Sequence, residues 1–351
     1  MTGLRERFRG CLLGGAVGDA LGAGVEFWSL TEIRGRLGPA GVTGYVPAYG
    51  RTGAITDDTQ MTLFTDEGLL DAARSPVGGD GGQVPAIWQS YQRWLLTQNG
   101  SPRAARKHRG RAGGGLLAQD FLWSRRAPGT TCLRALTLGR PGSPEQVVNN
   151  SKGCGGVMRV APAGLAAGDP FTLGCQAAAL THGHPAGYRA AGAFALMIGE
   201  IIGGTGVREA AAAAISRVRL AGGSYEVARA LQAALTAADS QPATPATVER
   251  LGEGWVAEEA LAIAVYCALA ATGFRSGVLL AVNHGGDSDS TGAICGNLLG
   301  AALGAGAIDP DLLAGLEGRE VIEQVADSLF EVAAQQHRPP AEHNSAGQDP
   351  A

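Results

Sequence analysis

Aromatic residues make up only 5% of the 351-residue chain, and stretches in which β-branched and aromatic side chains alternate between turns are nearly absent. A half-buried sheet needs that alternation, so a sheet-based fold is excluded; the core must be built from Ala, Leu, Val and Ile, which let helices approach closely. Long apolar runs are missing too. Residues 293–308 are interrupted by Asn297, and residues 260–271 fall short of the ~18–20 residues of a membrane span, so no transmembrane helix is expected. There is no excess of basic charge either. Lys+Arg at 28 against Asp+Glu at 32 gives a net charge of −4, with no field to condense onto a phosphate backbone or anionic lipid. Neither bulk nucleic acid nor a membrane is expected as a partner.

The six cysteines (Cys11, Cys132, Cys154, Cys175, Cys267, Cys295) show no CxxC spacing, and several sit in apolar helix-like runs where a thiol acts as a small hydrophobe. A reducing cytoplasm fits this usage, and the Asn149-Asn150-Ser151 sequon is then a chance match. The basic start followed by Cys11-Leu12-Leu13-Gly14-Gly15-Ala16-Val17 resembles a signal peptide superficially. Asp19 interrupts it and no clean cleavage site follows, so it reads as the first helix.

What the chain does contain is helical periodicity. Apolar residues recur at helix spacing over 12–21, 61–73, 84–96, 171–180, 188–202, 227–237, 256–271 and 321–334. The expected fold is all-α, a compact single-domain bundle of roughly a dozen helices. Turn chemistry marks connections at 35–52, 75–83, 99–115, 127–144 and 240–247, none of them resembling an interdomain linker. One domain over residues 1–337 is expected, with a polar, disordered tail over 338–351. The most basic stretch (Arg103, Arg106, Lys107, His108, Arg109, Arg111) reads as a solvated loop.

Three segments carry chemistry. In Gly53-Ala54-Ile55-Thr56-Asp57-Asp58-Thr59-Gln60-Met61-Thr62, two adjacent carboxylates stand between threonines just before an apolar helical run. Helix capping by Thr56 or Asp57 would account for part of this without a ligand. Asn283-His284-Gly285-Gly286-Asp287-Ser288-Asp289-Ser290-Thr291-Gly292 has the same character, a Gly-rich turn feeding a small-residue helix that begins near Thr291. Four carboxylates at helix mouths would repel one another in a dry site unless a cation neutralised them. The donors are hard oxygens without paired His or Cys, so Mg²⁺ or Mn²⁺ is expected rather than zinc, and two ions could share the four aspartates. The EF-hand pattern is missing. The third segment, Asn149-Asn150-Ser151-Lys152-Gly153-Cys154-Gly155-Gly156-Val157-Met158-Arg159, offers closely spaced glycine amides suited to a pyrophosphate, although a helix-packing turn would look similar.

These segments, with the opening Gly10-Cys11-Leu12-Leu13-Gly14-Gly15-Ala16-Val17-Gly18-Asp19-Ala20-Leu21-Gly22, Thr181-His182-Gly183-His184-Pro185 and Gly252-Glu253-Gly254-Trp255-Val256-Ala257-Glu258-Glu259-Ala260, resemble the ADP-ribosylglycohydrolase family in its own order from about residue 5 to 335. The resemblance implies an all-α enzyme with two Mg²⁺ or Mn²⁺ ions that cleaves the bond between ADP-ribose C1″ and a modified protein side chain, arginine by default, releasing ADP-ribose. It implies Thr56, Asp57, Asp58, Asp287, Asp289 and Ser290 as metal ligands, with Ser290 preferred over Thr291 by register. It implies Ser151, Gly153, Cys154, Gly155, Gly156 and Met158 around the diphosphate and ribose, His182 near the phosphate or distal ribose, and Trp255 near the adenine. Cys154 stands where many relatives carry Asn, and an ordinary buried histidine is the competing reading of His182. Glu26 aligns with a glutamate that some members use beside the attacking water, with Asp58 as the other candidate for proton movement. Asp19, in an apolar helix, needs a partner and reads as a structural anchor. A monomer acting on an ADP-ribosylated protein is expected. Other ADP-ribose linkages (serine, O-acetyl-ADP-ribose, a nucleic-acid end) and a non-catalytic ADP-ribose-binding protein are the alternatives.

Overall fold

The periodic segments all fold as helices in the computed structural model, which describes residues 2–75, 82–109, 115–222 and 225–336. The tail expected over 338–351 and Arg111 of the basic stretch lie outside these residues. The first nine helices are α1 (Thr2–Gly22), α2 (Leu30–Leu37), α3 (Asp57–Arg74), α4 (Gln83–Gln98), α5 (Pro102–Ala105), α6 (Thr130–Thr137), α7 (Ala161–Leu165), α8 (Pro170–Ala179) and α9 (Pro185–Ile202). They are followed by α10 (Val207–Ala221), α11 (Tyr225–Ser240), α12 (Pro245–Glu249), α13 (Ala257–Ala270), α14 (Phe274–Val282), α15 (Ser288–Leu303), α16 (Pro310–Gly315) and α17 (Arg319–Gln336). Strand pairing among the described residues is confined to two isolated bridges, Ala48 with Arg51 and Gly153 with Val256.

The all-α expectation holds, and the count rises from about a dozen to seventeen among the described residues because short helices carry too little apolar periodicity to be read. Several of them, α5, α12 and α16, start on proline, which costs nothing at a first turn whose N–H is unpaired anyway. Helix α6 lies inside 127–144, which reads as a connection; its two leading threonines and uncapped Gly129 hide it, and it buries only Cys132, Ala135 and Leu136. Helix α15 begins at Ser288, three residues before the expected Thr291. All six cysteines are free thiols, five of them buried.

The contact that matters most for the site is between α1 and α15, which run antiparallel with backbone against backbone. Gly10, Gly14, Gly18 and Gly22 on one helix meet Gly300, Gly296, Gly292 and the Ser288–Asp289 peptide on the other. A β-carbon on Gly18 would lie 1.9 Å from the carbonyl oxygen of Gly292, and one on Gly300 would lie 1.8 Å from that of Gly10. Only a four-residue glycine repeat on both helices permits this approach. Asn297 locks the register by donating from Nδ2 to the Cys11 carbonyl at 2.7 Å. Helix α13, apolar on every side and buried from Ala260 to Ala268, packs behind α15, as an all-round hydrophobic helix must.

A second clamp ties distant loops together at the start of α3. The buried Glu317 accepts from both terminal nitrogens of Arg126, from Arg51 Nη1 at 2.9 Å and from the Ile55 amide at 3.3 Å. Arg126 also donates to the Ile55 carbonyl at 2.8 Å, and its own carbonyl accepts from the Asp57 amide at 3.3 Å.

Candidate functional site

Glycine contact between α1 and α15 brings Asp19, from the last turn of α1, against the start of α3. Its carboxylate accepts from the Thr56 amide at 3.0 and 3.1 Å, from the Thr59 amide at 3.1 Å and from the Thr59 hydroxyl. Asp19 therefore takes up the unpaired donors of α3's first turn, and the anchor expected of it is observed. Thr56 is the helix cap, its Oγ1 accepting from the Asp58 amide at 3.2 Å. Capping accounts for Thr56 but not for the two aspartates after it. Asp57 Oδ2 accepts from the Gly129 amide at 3.2 Å, while Asp58 Oδ1 is buried with no partner.

From the opposite side, Asp287 occupies the cap position of α15 without capping it, and Asp289 follows in the first turn. Glu26, four residues past the end of α1, completes the group: one oxygen each of Glu26, Asp287 and Asp289 lies within 4.8 Å of the others. Glu26 Oε2 has no hydrogen-bond partner. Ser290 faces the same cleft, while Thr291 is turned inward, bonded to the Ala281 and Asp287 carbonyls at 2.8 and 2.9 Å and to His284 Nε2 at 2.9 Å. Of the two hydroxyls, Ser290 is the one that lines the cleft.

Six buried acids with no lysine or arginine among them resist ionisation. Burial, then the charge of Asp289, pushes Asp57 and Asp58 well above the usual carboxylate range, and the same two causes raise Asp287. Asp289 is raised by burial itself. Glu26 is pushed up to about 11 by burial and by Asp289, Asp287, Asp57 and Asp19, and Asp19 to about 7 by burial and Asp289. A group of hard oxygen donors that are buried, mutually repelling and in part without hydrogen-bond partners fits a divalent cation, and the buried acidic group could hold one.

Five of these acids, all but Asp19, form one end of a cleft of about 620 Å³. Gly153, Cys154, Gly155, Met158, His182 and Trp255 of the expected substrate residues line its remainder. Gly156 packs behind the His182 ring, and Ser151 supports the turn from below, its Oγ accepting from the Gly153 amide at 3.3 Å. The turn is pinned to the Trp255 segment, the Cys154 amide donating to the Trp255 carbonyl at 3.1 Å. Cys154 Sγ lies 2.6 Å from Asp287 Oδ2, so the thiol donates to a carboxylate of the acidic group.

Sequence reasoning missed Phe27, Arg125, Gly129 and Thr131, which also line the cleft. Phe27 stacks on Trp255 with ring centroids 5.9 Å apart and planes at 16°, two exposed aromatic rings at the mouth. An exposed Phe directly after a buried Glu was the only signal available, and it is weak. A larger groove of about 930 Å³ between α10, α11 and α12 holds Arg219, Arg229 and Arg250 but no converging acids, and is separate from this chemistry.

Comparison with known proteins agrees with this geometry. The chain is 29% identical over 347 residues to the ADP-ribosyl-[dinitrogen reductase] glycohydrolase of Rhodospirillum rubrum, covering 95% of this chain and 99% of that one. It is 29% identical over 338 residues to an uncharacterised protein of Archaeoglobus fulgidus, covering 94% and 97%, and 27% identical over 335 residues to the uncharacterised protein YegU of Escherichia coli, covering 89% and 92%. Among solved structures, an ADP-ribosylglycohydrolase-related protein complex matches with a TM-score of 0.67 and 26% identity, covering 95% of this chain and all of the other. The ADP-ribosylglycohydrolase profile matches residues 1–339, and the chain belongs to this family of glycosidic-bond hydrolases, which remove ADP-ribose.

Proposed function

We propose that the protein removes ADP-ribose from ADP-ribosylated arginine side chains of a protein substrate, using two Mg²⁺ or Mn²⁺ ions held by Thr56, Asp57, Asp58, Asp287, Asp289 and Ser290. The observation that carries this reading is that Asp57 and Asp58 of α3 line the same nucleotide-sized cleft as Asp287 and Asp289 at the start of α15, some 230 residues away. Bound cations would neutralise the carboxylates, grip ribose hydroxyls and make a water more acidic. The name of the R. rubrum enzyme gives an ADP-ribosylated protein as its substrate, which supports a protein side chain as the leaving group; arginine is what the family resemblance implies.

The chain's own residues have defined tasks in this reading. Gly153, Cys154 and Gly155 border the diphosphate, and His182 contacts it or the distal ribose. Trp255 with Phe27 presents an aromatic surface to the adenine. Glu26 and Asp58 each keep a carboxylate oxygen without a protein partner, which suits them to hold and move a proton next to C1″ during departure of the leaving group. The protein acts as a monomer in the cytoplasm.

The test is release of ADP-ribose from ADP-ribosylarginine protein with Mg²⁺ or Mn²⁺, comparing wild type with Asp57→Ala and Asp289→Ala. Loss of turnover in both variants supports the reading, whereas undiminished turnover rejects the metal-site assignment. A panel with serine-linked and O-acetyl-linked ADP-ribose reads the linkage directly, and binding of ADP-ribose without hydrolysis of any substrate would identify a non-catalytic protein.

A further inference from the structure

Arg159 is fully buried, with no ion pair to a carboxylate among the described residues. Its guanidinium lies over the Tyr91 ring at 4.4 Å, Nη1 approaches the sulfurs of Cys132 and Met61 at 3.4 and 3.5 Å, and Nε has no partner. Nη2 donates to the Ala177 carbonyl at 3.2 Å and to the Thr181 hydroxyl at 2.7 Å, and the Tyr91 hydroxyl is also within reach of the guanidinium. An uncompensated buried cation is costly, and here its shortest bond points at the residue before His182.

The donors and acceptors along this line favour one arrangement. A guanidinium only donates, so Thr181 Oγ1 must accept from it. The single proton of that hydroxyl then has two nitrogen or oxygen acceptors to go to, besides the weaker Cys132 sulfur. One is His182 Nδ1 at 2.8 Å; the other is the Ala178 carbonyl at 3.5 Å, which already accepts from the Thr181 and His182 amides at 3.1 and 2.9 Å. The shorter, open acceptor is Nδ1. A ring that accepts at Nδ1 carries its proton on Nε2, and Nε2 sits over the turn at Gly153 and Gly155, on the side that lines the cleft.

We propose that Arg159 and Thr181 are positioning residues that fix His182 as a neutral imidazole with its proton on Nε2, presenting a hydrogen-bond donor to an acceptor oxygen of the bound ligand. The proposal rests on the reading of the cleft as an ADP-ribose site, where a diphosphate oxygen meets that requirement and a ribose hydroxyl meets it less strongly. Burial and the charge of Arg159 push His182 down to about 3, consistent with a ring that stays neutral. His182 on this account neither gives nor takes a proton in the reaction, and the relay is what separates it from an ordinary buried histidine.

Two variants of Thr181 separate this role from packing. Thr181→Val keeps the shape and deletes the hydroxyl; Thr181→Ser keeps the hydroxyl and deletes the methyl group. The first readout is ¹⁵N NMR of the ring nitrogens of His182 in the unliganded protein. Wild type and Thr181→Ser should show a single form protonated on Nε2, and Thr181→Val a mixture of the two neutral forms. The second is turnover and ADP-ribose binding by calorimetry. Thr181→Val should raise KM and the ADP-ribose Kd by roughly tenfold or more with kcat nearly unchanged, and Thr181→Ser should restore both. A proton on Nδ1 in wild type overturns the relay, and so does a Ser variant that loses binding while the Val variant keeps it. The NMR arm needs no ligand. Failure of wild type to bind ADP-ribose would therefore refute the function assigned to the cleft, while the ring-nitrogen spectra would still decide whether Arg159 and Thr181 set the tautomer.

Discussion

Replacing Asp289 with Asn should move stability in opposite directions with and without metal. Asp289 is the foremost charge acting on Asp57, Asp58, Asp287 and Glu26, and one of its oxygens lies within 4.8 Å of those of Asp287 and Glu26. Two unit charges at that separation repel by about 3.5 kcal/mol at an effective dielectric constant of ~20, a ceiling because the carboxyls take up protons instead. The metal-free variant should gain up to about 3 kcal/mol from losing this charge, while its amide oxygen can still accept from the Ser290 amide as the carboxylate does at 2.9 Å. Unfolding entropy near ~2.1 cal/mol/K per residue amounts to ~0.7 kcal/mol/K for 351 residues, so the gain corresponds to a rise in Tm of about 4 °C. With metal at a hundredfold its Kd, wild type gains about 2.7 kcal/mol per bound ion, again about 4 °C, and the variant, short of a ligand, gains far less. The order of the two melting curves should therefore reverse between EDTA and excess Mg²⁺ or Mn²⁺ in scanning calorimetry at neutral pH. A variant that melts below wild type in EDTA and responds equally to metal would refute the reasoning, because the carboxylate would then be acting as a structural cap.

Asp66 is fully buried beside Cys11, with neither oxygen partnered, and burial holds its carboxyl well above the usual range. The folded state keeps a proton that the unfolded chain releases above pH ~4, so this contribution is fully present below that pH. It declines by about 1.4 kcal/mol per pH unit as pH rises, until the carboxyl ionises in the fold. Asp66→Leu should flatten that part of the dependence of urea midpoints on pH, and an unchanged slope would show that Asp66 has a partner. Gly18→Ala should cost at least ~1–3 kcal/mol and weaken metal affinity together, because its β-carbon strikes the Gly292 carbonyl and displaces Asp289 from Asp57. Gly3→Ala, with nothing within 4 Å, is the control, and equal melting of the two variants would sink the argument. Glu317→Gln leaves the buried Arg126 without a counter-charge and should cost about 3–5 kcal/mol in chemical denaturation; a loss under ~1 kcal/mol would mean that solvent reaches the pair.

Much of this site can be read in the sequence because its chemistry lies at helix starts. Thr56-Asp57-Asp58 and Asp287-Ser288-Asp289-Ser290 both sit where capping residues, turn glycines and apolar runs meet, and each signal is local. The harder features are those set by partners far along the chain. Nothing near Gly18 says that Gly292 faces it, and nothing near Arg126 announces Glu317, since each pairing is decided by the packing of whole helices. Phe27 and Arg125 belong to loops whose course depends on those packings, so their place on the cleft wall carries no local signature. Helix α6 shows the opposite failure: its turn-rich flanks and leading threonines conceal a helix that its burial against α4 secures.

The acids themselves supply no reason for the fold to gather them. Each is raised by the others, so their proximity opposes folding until a cation enters, and the free energy that holds them together must come from elsewhere. The structure shows three such sources. Backbone contact of the α1 and α15 glycines sets the distance from Asp19 to Asp289, the Asp19 carboxylate bonds the first turn of α3, and the Arg126–Glu317 pair fixes the segment leading into it. None of the three needs metal. A cation bound at the proposed site would meet carboxylates already in place, and its binding energy would go into neutralising charge rather than ordering chain. On the proposed reading the glycine ladder is as necessary to the site as the aspartates, because its backbone contacts bring them together.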